Sequence, residues 1–159
     1  MSDSPYPQPG TPAPEFDLPA STGGNVRLAD FAGKPFVLYF YPKADTPGCT
    51  TEACGFQAAR PQYQSADVAV VGVSPDPLGP VEKFAKKFDL EFPLLADEDH
   101  AVCEKYGVWQ EKKMYGKAYM GAARTTFLID KAGNIAKVFE KVKPDGHDEE
   151  VLAAARELR

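Results

Sequence analysis

The sequence predicts an α/β domain with a central mixed sheet flanked by helices, and three observations predict it. Two apolar runs of strand length, Pro35-Phe36-Val37-Leu38-Tyr39-Phe40 and Val68-Ala69-Val70-Val71-Gly72-Val73, are rich in aromatic or β-branched residues. Runs that are apolar throughout, rather than alternating, suit strands covered on both faces. Each is followed by a Pro-punctuated turn and a helix-length segment, and a hairpin with a closing helix ends the chain. At 159 residues the chain is long enough for one domain with its own hydrophobic core.

Taken in order, residues 1–14 carry prolines at 5, 7, 9, 12 and 14 with little that could pack, and read as an extended arm before a domain over 15–159. Phe16-Asp17-Leu18 and Val26-Arg27-Leu28 flank a Gly-rich turn and predict an N-terminal hairpin. After a connector over 30–34, the strand from Phe36 to Tyr41 leads into a helix expected to run to about Gln64. The second apolar strand stops at Ser74-Pro75-Asp76-Pro77. A helix over Leu78 to Phe88 follows, with Val81, Phe84, Ala85 and Phe88 as its apolar stripe. Leu94-Leu95-Ala96 is a short strand and Asp99 to Tyr106 a short helix. The segment 107–123, rich in Lys and Gly, reads as a loop. Thr125 to Asp130 and Asn134 to Glu140 form a hairpin around Lys131-Ala132-Gly133, and the last helix spans about Asp148 to Leu158 with acids in its first turn. This is the element order of the thioredoxin fold.

Composition excludes several function classes. Net charge is −5, from 18 basic and 23 acidic residues, which argues against a nucleic-acid partner. No apolar run reaches membrane-spanning length, and the first residues lack the charged-then-apolar order of a signal peptide, so a cytoplasmic protein without a membrane partner is expected. Three cysteines in a chain of this size do not make a disulfide framework; redox-active or incidental thiols are expected instead.

One of those thiols occupies a reactive place. In Phe40-Tyr41-Pro42-Lys43-Ala44-Asp45-Thr46-Pro47-Gly48-Cys49, the prolines end the strand, Thr46 is placed to cap a helix, and Pro47 is its first residue. Cys49 then sits in the first turn, where free N–H groups and the positive end of the helix dipole favour the nucleophilic thiolate. Most lone cysteines are inert small hydrophobes. The Pro-Gly entry and a second cysteine, Cys54, five residues on tip the reading towards chemistry.

The same residues carry a family resemblance. Pro42, Thr46 and Cys49 stand at the offsets of the peroxiredoxin active-site pattern. Thr46-Pro47-Gly48-Cys49-Thr50-Thr51-Glu52-Ala53-Cys54 resembles the bacterioferritin comigratory protein, or Q-type, branch. The likeness extends to Tyr106-Gly107-Val108-Trp109 and to Arg124-Thr125-Thr126-Phe127-Leu128-Ile129-Asp130, and covers the chain beyond the arm. It departs at Gln57-Ala58, where such proteins often carry a charged pair. The resemblance implies a thioredoxin-like fold and a thiol peroxidase that reduces hydrogen peroxide and organic hydroperoxides without a cofactor or metal. Cys49 would be oxidised to sulfenic acid and Cys54 would resolve it as an intramolecular disulfide. Thioredoxin or a similar dithiol protein would then reduce that disulfide. Arg124 would stabilise the thiolate and orient the peroxide, Thr46 would hydrogen-bond both, Pro42 would shield the thiolate, and Glu52 would position the arginine. A monomer is implied. If both cysteines share one helix, their Cα atoms stand about 9 Å apart on different faces, beyond the roughly 7 Å a disulfide tolerates, so pairing requires unwinding.

Three other readings stand beside this one. A thioredoxin-type reductase would carry Cys-x-x-Cys, whereas this chain has four residues between the pair. A metal centre from Cys49, Cys54, Cys103 and His100 matches no zinc spacing. A third is a catalytically silent binding domain, in which Cys49 shows ordinary thiol reactivity; rapid thiol loss with one equivalent of peroxide separates the enzyme from it. Cys103, within Ala101-Val102-Cys103-Glu104, is read as a packed small residue without a catalytic role, and His100 and His147 have no motif around them.

Overall fold

The computed structural model, which describes residues 5–158, has a central five-stranded sheet. Its strands, in order across the sheet, are Leu94–Ala96 (β5), Ala69–Ser74 (β4), Phe36–Phe40 (β3), Thr125–Ile129 (β8) and Ile135–Phe139 (β9). β3, β4 and β5 run parallel; β8 is antiparallel to β3, and β9 to β8, so the sheet is mixed. The helices are α1 (Pro47–Ala58), α2 (Arg60–Ser65), α3 (Leu78–Lys87), α4 (Ala101–Lys105) and α5 (His147–Arg156). An N-terminal hairpin of β1 (Asp17–Pro19) and β2 (Asn25–Arg27) precedes the sheet. This is the thioredoxin-like arrangement the element order predicts.

Alternation along the strands divides the interior into two cores. Val37, Tyr39 and Tyr41 face α1, α3 and α5, packing with Phe56, Phe84 and Val151; Phe36, Leu38 and Phe40 face the other way, towards Tyr106, Phe127 and Ile129. Every residue of β3 is buried, as its unbroken apolar run requires. Burying side chains of this size contributes roughly 1.5–3 kcal/mol each, which makes β3 a rigid base for the segment that follows it.

Three elements differ from the sequence reading. The first helix does not continue to Gln64. Pro61 has no N–H to give the Gln57 carbonyl, so α1 ends at Ala58 and α2 restarts at Arg60. The segment 107–123 is not a loop but a second hairpin, β6 (Trp109–Met114) and β7 (Lys117–Ala122). Its turn residues Tyr115 and Gly116 both take positive φ, the geometry of a two-residue primed turn usually written Asn-Gly. β6 is largely charged or polar, and β7 carries the exposed apolar run Ala118-Tyr119-Met120 before buried Ala122, so neither strand shows an apolar–polar alternation to reveal it.

The arm also packs more than its composition suggests. Tyr6 and Ala13 are buried, the Tyr106 hydroxyl donates to the Pro14 carbonyl at 2.6 Å, and Gly10 and Ala13 donate backbone N–H groups to Ile135 and Gly133. Residues 1–4 of the arm lie outside the described residues. The seat depends on Gly107, which has φ +71° and whose missing Cβ would stand 2.0 Å from the Pro5 carbonyl oxygen. Replacement by alanine adds a left-handed backbone penalty to a collision with main chain. Gly107→Ala is expected to lower stability by roughly 1–3 kcal/mol, read as a drop in the urea midpoint. An unchanged midpoint would mean that the seated arm adds nothing to the fold.

Candidate active site

The site begins where β3 hands the chain to α1. Tyr41 still donates its N–H to Val73 at 3.0 Å, and the loop beyond is held from two directions. Asp76, after β4, accepts the Ala44 N–H at 2.8 Å, and Lys87 of α3 reaches Asp45 at 3.0 Å. Asp45 takes positive φ, turning the chain into Thr46, whose carbonyl accepts the Thr50 N–H at 2.8 Å. Pro47 opens α1 as the sequence predicts, and Cys49 is the third helical residue, its N–H among the four with no intrahelical partner.

The inward stripe of α1 is Cys49, Glu52, Ala53 and Phe56, the spacing of one helical face. Cys54 lies off that stripe and is half-buried. Both cysteines are free thiols on one continuous helix.

Arg124 reaches this stripe from the junction of β7 and β8. Because β8 lies beside β3, its start stands next to the α1 N-terminus. The guanidinium forks: one nitrogen, Nη1, donates to Glu52 Oε1 at 2.7 Å, and the other, Nη2, to Cys49 Sγ at 3.3 Å. Gly48 makes room, since a Cβ there would stand 3.1 Å from Nη2. Sequence reasoning missed this function of Gly48, which it took for a turn residue alone.

Burial dominates the electrostatics. Glu52 is 1% exposed, and its second oxygen has no hydrogen-bond partner. Desolvation lifts its carboxyl from 4.5 to about 7, against the opposing pull of Arg124. For Arg124, desolvation works against the cation, but Glu52 and Cys49 outweigh it and hold the guanidinium charged. Tyr39 and Tyr41, behind the site, are pushed well above the ordinary phenol range by burial.

The predicted site residues therefore fall into groups. Cys49, Glu52 and Arg124 form one bonded cluster. Thr46 occupies the cap position, yet its hydroxyl donates to the Lys43 carbonyl at 2.8 Å instead of capping the helix. That proton is committed, so in this state Thr46 can accept a hydrogen bond at the site but not donate one. Pro42 is half-buried in the same loop. Cys103 is remote: it packs in the core on the opposite face of the sheet from Cys49, and burial, then Asp97, pushes its thiol far up. The sheet thus keeps Cys49 and Cys103 from sharing an ion. His147, buried between Thr126 and Glu150, ties α5 to β8.

The raised Glu52 carboxyl has a consequence for stability. Between pH 4.5 and about 7 the unfolded chain has released this proton while the folded chain keeps it. The contribution is therefore present below 4.5 and lost as pH rises through about 7. Urea unfolding of the protein and of Glu52→Gln across this window should show their stability difference shifting against the native residue, by on the order of 2–3 kcal/mol. A difference shifting in favour of Glu52 would show that the Arg124 ion pair outweighs burial.

Comparison with known proteins places this geometry. Residues 9–138 match the AhpC/TSA family. The chain is 45% identical to Peroxiredoxin Bcp of Bacillus subtilis over 149 residues, covering 94% of this chain and 95% of that one. It is 48% identical to Peroxiredoxin Bcp of Escherichia coli K12 over 143 residues, covering 90% and 92%. Among solved structures it resembles the Xanthomonas campestris bacterioferritin comigratory protein, studied for its alkyl peroxide reduction activity. The TM-score is 0.84 at 40% identity, covering 89% of this chain and 90% of that one. A helix-borne thiol held by a forked arginine, on a thioredoxin-like sheet, in a chain this close to those relatives, belongs to the AhpC/TSA family, in its Bcp and peroxiredoxin Q branch, and is a peroxidase.

Proposed function

We propose that Cys49 is the peroxidatic cysteine of a cytoplasmic, monomeric thiol peroxidase acting on hydrogen peroxide and organic hydroperoxides. The observation that carries this reading is the Arg124 fork, which joins Cys49 Sγ to a charge anchored by buried Glu52. The Cys49 thiolate attacks the terminal peroxide oxygen. An S–O bond forms, the O–O bond breaks, and the electron pair departs on hydroxide or alkoxide, which takes a proton from water. Sulfur is oxidised by two electrons to sulfenic acid as the peroxide is reduced to water or alcohol.

Arg124 has five N–H donors, of which the Glu52 and Cys49 contacts use two, leaving others to orient the peroxide and meet the developing oxyanion. Thr46 accepts a hydrogen bond from the peroxide, and Pro42 keeps water from the thiolate. Cys54 then condenses with the sulfenic acid, releasing water, and a thioredoxin-like dithiol protein reduces the resulting disulfide. Half-exposure of Cys54, on a helix face turned away from the core, supports this division of labour.

Cys49→Ser is expected to abolish peroxide consumption, whereas Cys54→Ser should consume about one equivalent and then stop in the presence of thioredoxin, with Cys49 progressing to sulfinic acid. Peroxide assays with mass spectrometry separate the two; sustained turnover by Cys49→Ser would end the assignment.

Resolution also requires motion. With both cysteines on α1, their Cα atoms are about 9 Å apart and diverge around the helix, which a disulfide does not span. Oxidation should melt the first turns of α1, where intrahelical bonds are fewest. Amide exchange over residues 47–57 should accelerate in the disulfide form relative to the reduced form. Equal protection in the two forms would rule out the unwinding.

A further inference from the structure

The segment between β3 and Cys49 is moored from both neighbours of β3 in the sheet. From the β8 side, Arg124 holds Cys49 Sγ at 3.3 Å. From the β4 side, Asp76 accepts the Ala44 N–H at 2.8 Å. The first tether meets the sulfur, and the second meets the backbone that leads to it.

That backbone has few other holds. Pro42 and Pro47 have no N–H to give, and among the described residues the Ala44 N–H is the one main-chain donor between them with a partner. The Thr46 hydroxyl bonds back to the Lys43 carbonyl, so residues 43–46 close on themselves as one turn, and Ala44 is where that turn meets the end of β4. Ala44 itself packs on the core that contains Cys49. The Lys87–Asp45 pair is the other outside contact, but its side chains are 60% and 46% exposed, and pairs of that kind hold little.

Asp76 is better placed. It is half-buried between Pro75 and Pro77, whose rings fix φ on either side, and a residue before proline is confined to extended backbone. Asp97 ties down the start of this segment by donating its N–H to the Ser74 carbonyl at 2.8 Å. A stiff segment therefore presents the carboxylate, and a bond from a backbone N–H to a carboxylate is charge-assisted.

We propose that Asp76 is a positioning residue of the peroxidase reaction, mooring residues 42–46 to the end of β4 so that Thr46 and Pro42 keep their places beside the first turn of α1 while Cys49 attacks. The proposal rests on Cys49 being the reacting thiol and Cys54 the resolving one. Asp76 bonds to the Ala44 backbone and Arg124 to the sulfur, so Asp76 acts on the geometry of the turn and not on the ionisation of the thiol. The ordered turn is also what must yield before Cys54 can reach the sulfenic acid. The mooring therefore favours attack and gives no help to resolution.

The test compares the full-length protein with Asp76→Ala, Asp76→Asn and Cys49→Ser. Three quantities are read: ultraviolet thiolate absorbance at neutral pH, the second-order rate with hydrogen peroxide, and the rate of disulfide formation from the sulfenic acid by quenched mass spectrometry. Asp76→Ala is expected to keep the thiolate absorbance, to react with peroxide roughly three- to tenfold more slowly, and to form the disulfide at least as fast as the native protein. Asp76→Asn keeps an acceptor oxygen for Ala44 and should recover most of the peroxide rate. A native peroxide rate in Asp76→Ala would overturn the proposal. So would a slower disulfide step, a lost thiolate absorbance or a collapsed urea midpoint in that variant, because each is the mark of a merely structural role. An Asp76→Asn protein as slow as Asp76→Ala would overturn it too, since the acceptor oxygen would then not matter. An unchanged peroxide rate in Cys49→Ser would instead overturn the assignment of Cys49, and a native protein that forms no Cys49–Cys54 disulfide would overturn that of Cys54.

Discussion

The site depends on one shared cation. Arg124 holds Glu52 with one nitrogen and Cys49 with the other, and much of the fold sets up that division. β3 must be buried and rigid for α1 to begin at a defined place. β8 must be its neighbour for Arg124 to arrive beside the first turn, and residue 48 must lack a side chain for the guanidinium to lie against it. Glu52 must stand three residues after Cys49, so that both face inward on one helical stripe. Moving any one of these would leave a carboxylate or a guanidinium desolvated without its partner, and that costs more than the pair is worth when intact.

The framework was legible because its signals are local and strong. Two unbroken apolar runs became β3 and β4, and the stop at Ser74-Pro75-Asp76-Pro77 became the turn into α3. The late hairpin and α5 were found within a residue or two of their predicted ends. The misses have different causes. Pro61 carries the break between α1 and α2 in its missing N–H, a local signal that the apolar pattern on either side obscures. The β6–β7 hairpin has a charged first strand, an exposed apolar run in the second and Tyr-Gly at its turn, so neither alternation nor a usual turn pair marks it. The prolines of the arm do not reveal that buried Tyr6 and Ala13, with backbone bonds to Ile135 and Gly133, seat it where the Gly107 backbone leaves room for Pro5.

Within the site, residue type and spacing carried the argument as far as the cysteine, the arginine and the glutamate. They could not say how each would be occupied. The Thr46 hydroxyl bonds back to Lys43, a local choice that competes with capping and is invisible in a string of letters. The three cysteines make the same point: Cys49 faces an arginine, Cys54 faces outward, and Cys103 lies sealed behind the sheet, although nothing in their identity distinguishes them.

The proposed cycle asks α1 to be ordered for attack and labile for resolution, and the charge arrangement offers a way to couple the two. While Cys49 is a thiolate, its contact with Arg124 is charge-assisted and pins the first turn of the helix to the sheet at a point where backbone bonds are few. Oxidation to sulfenic acid removes the negative charge and turns that ion pair into a hydrogen bond charged on the donor alone, a loss on the order of 1 kcal/mol. Farther along, α1 keeps its hold: Phe56 packs on Tyr39, Tyr63 and His147, and Tyr63 donates to the Asp148 carbonyl at 2.8 Å. None of these contacts changes with the oxidation state of sulfur. In the proposed cycle loosening is therefore expected only in the turns that carry Cys49, and only once the sulfur has reacted, which is when Cys54 must be able to reach it.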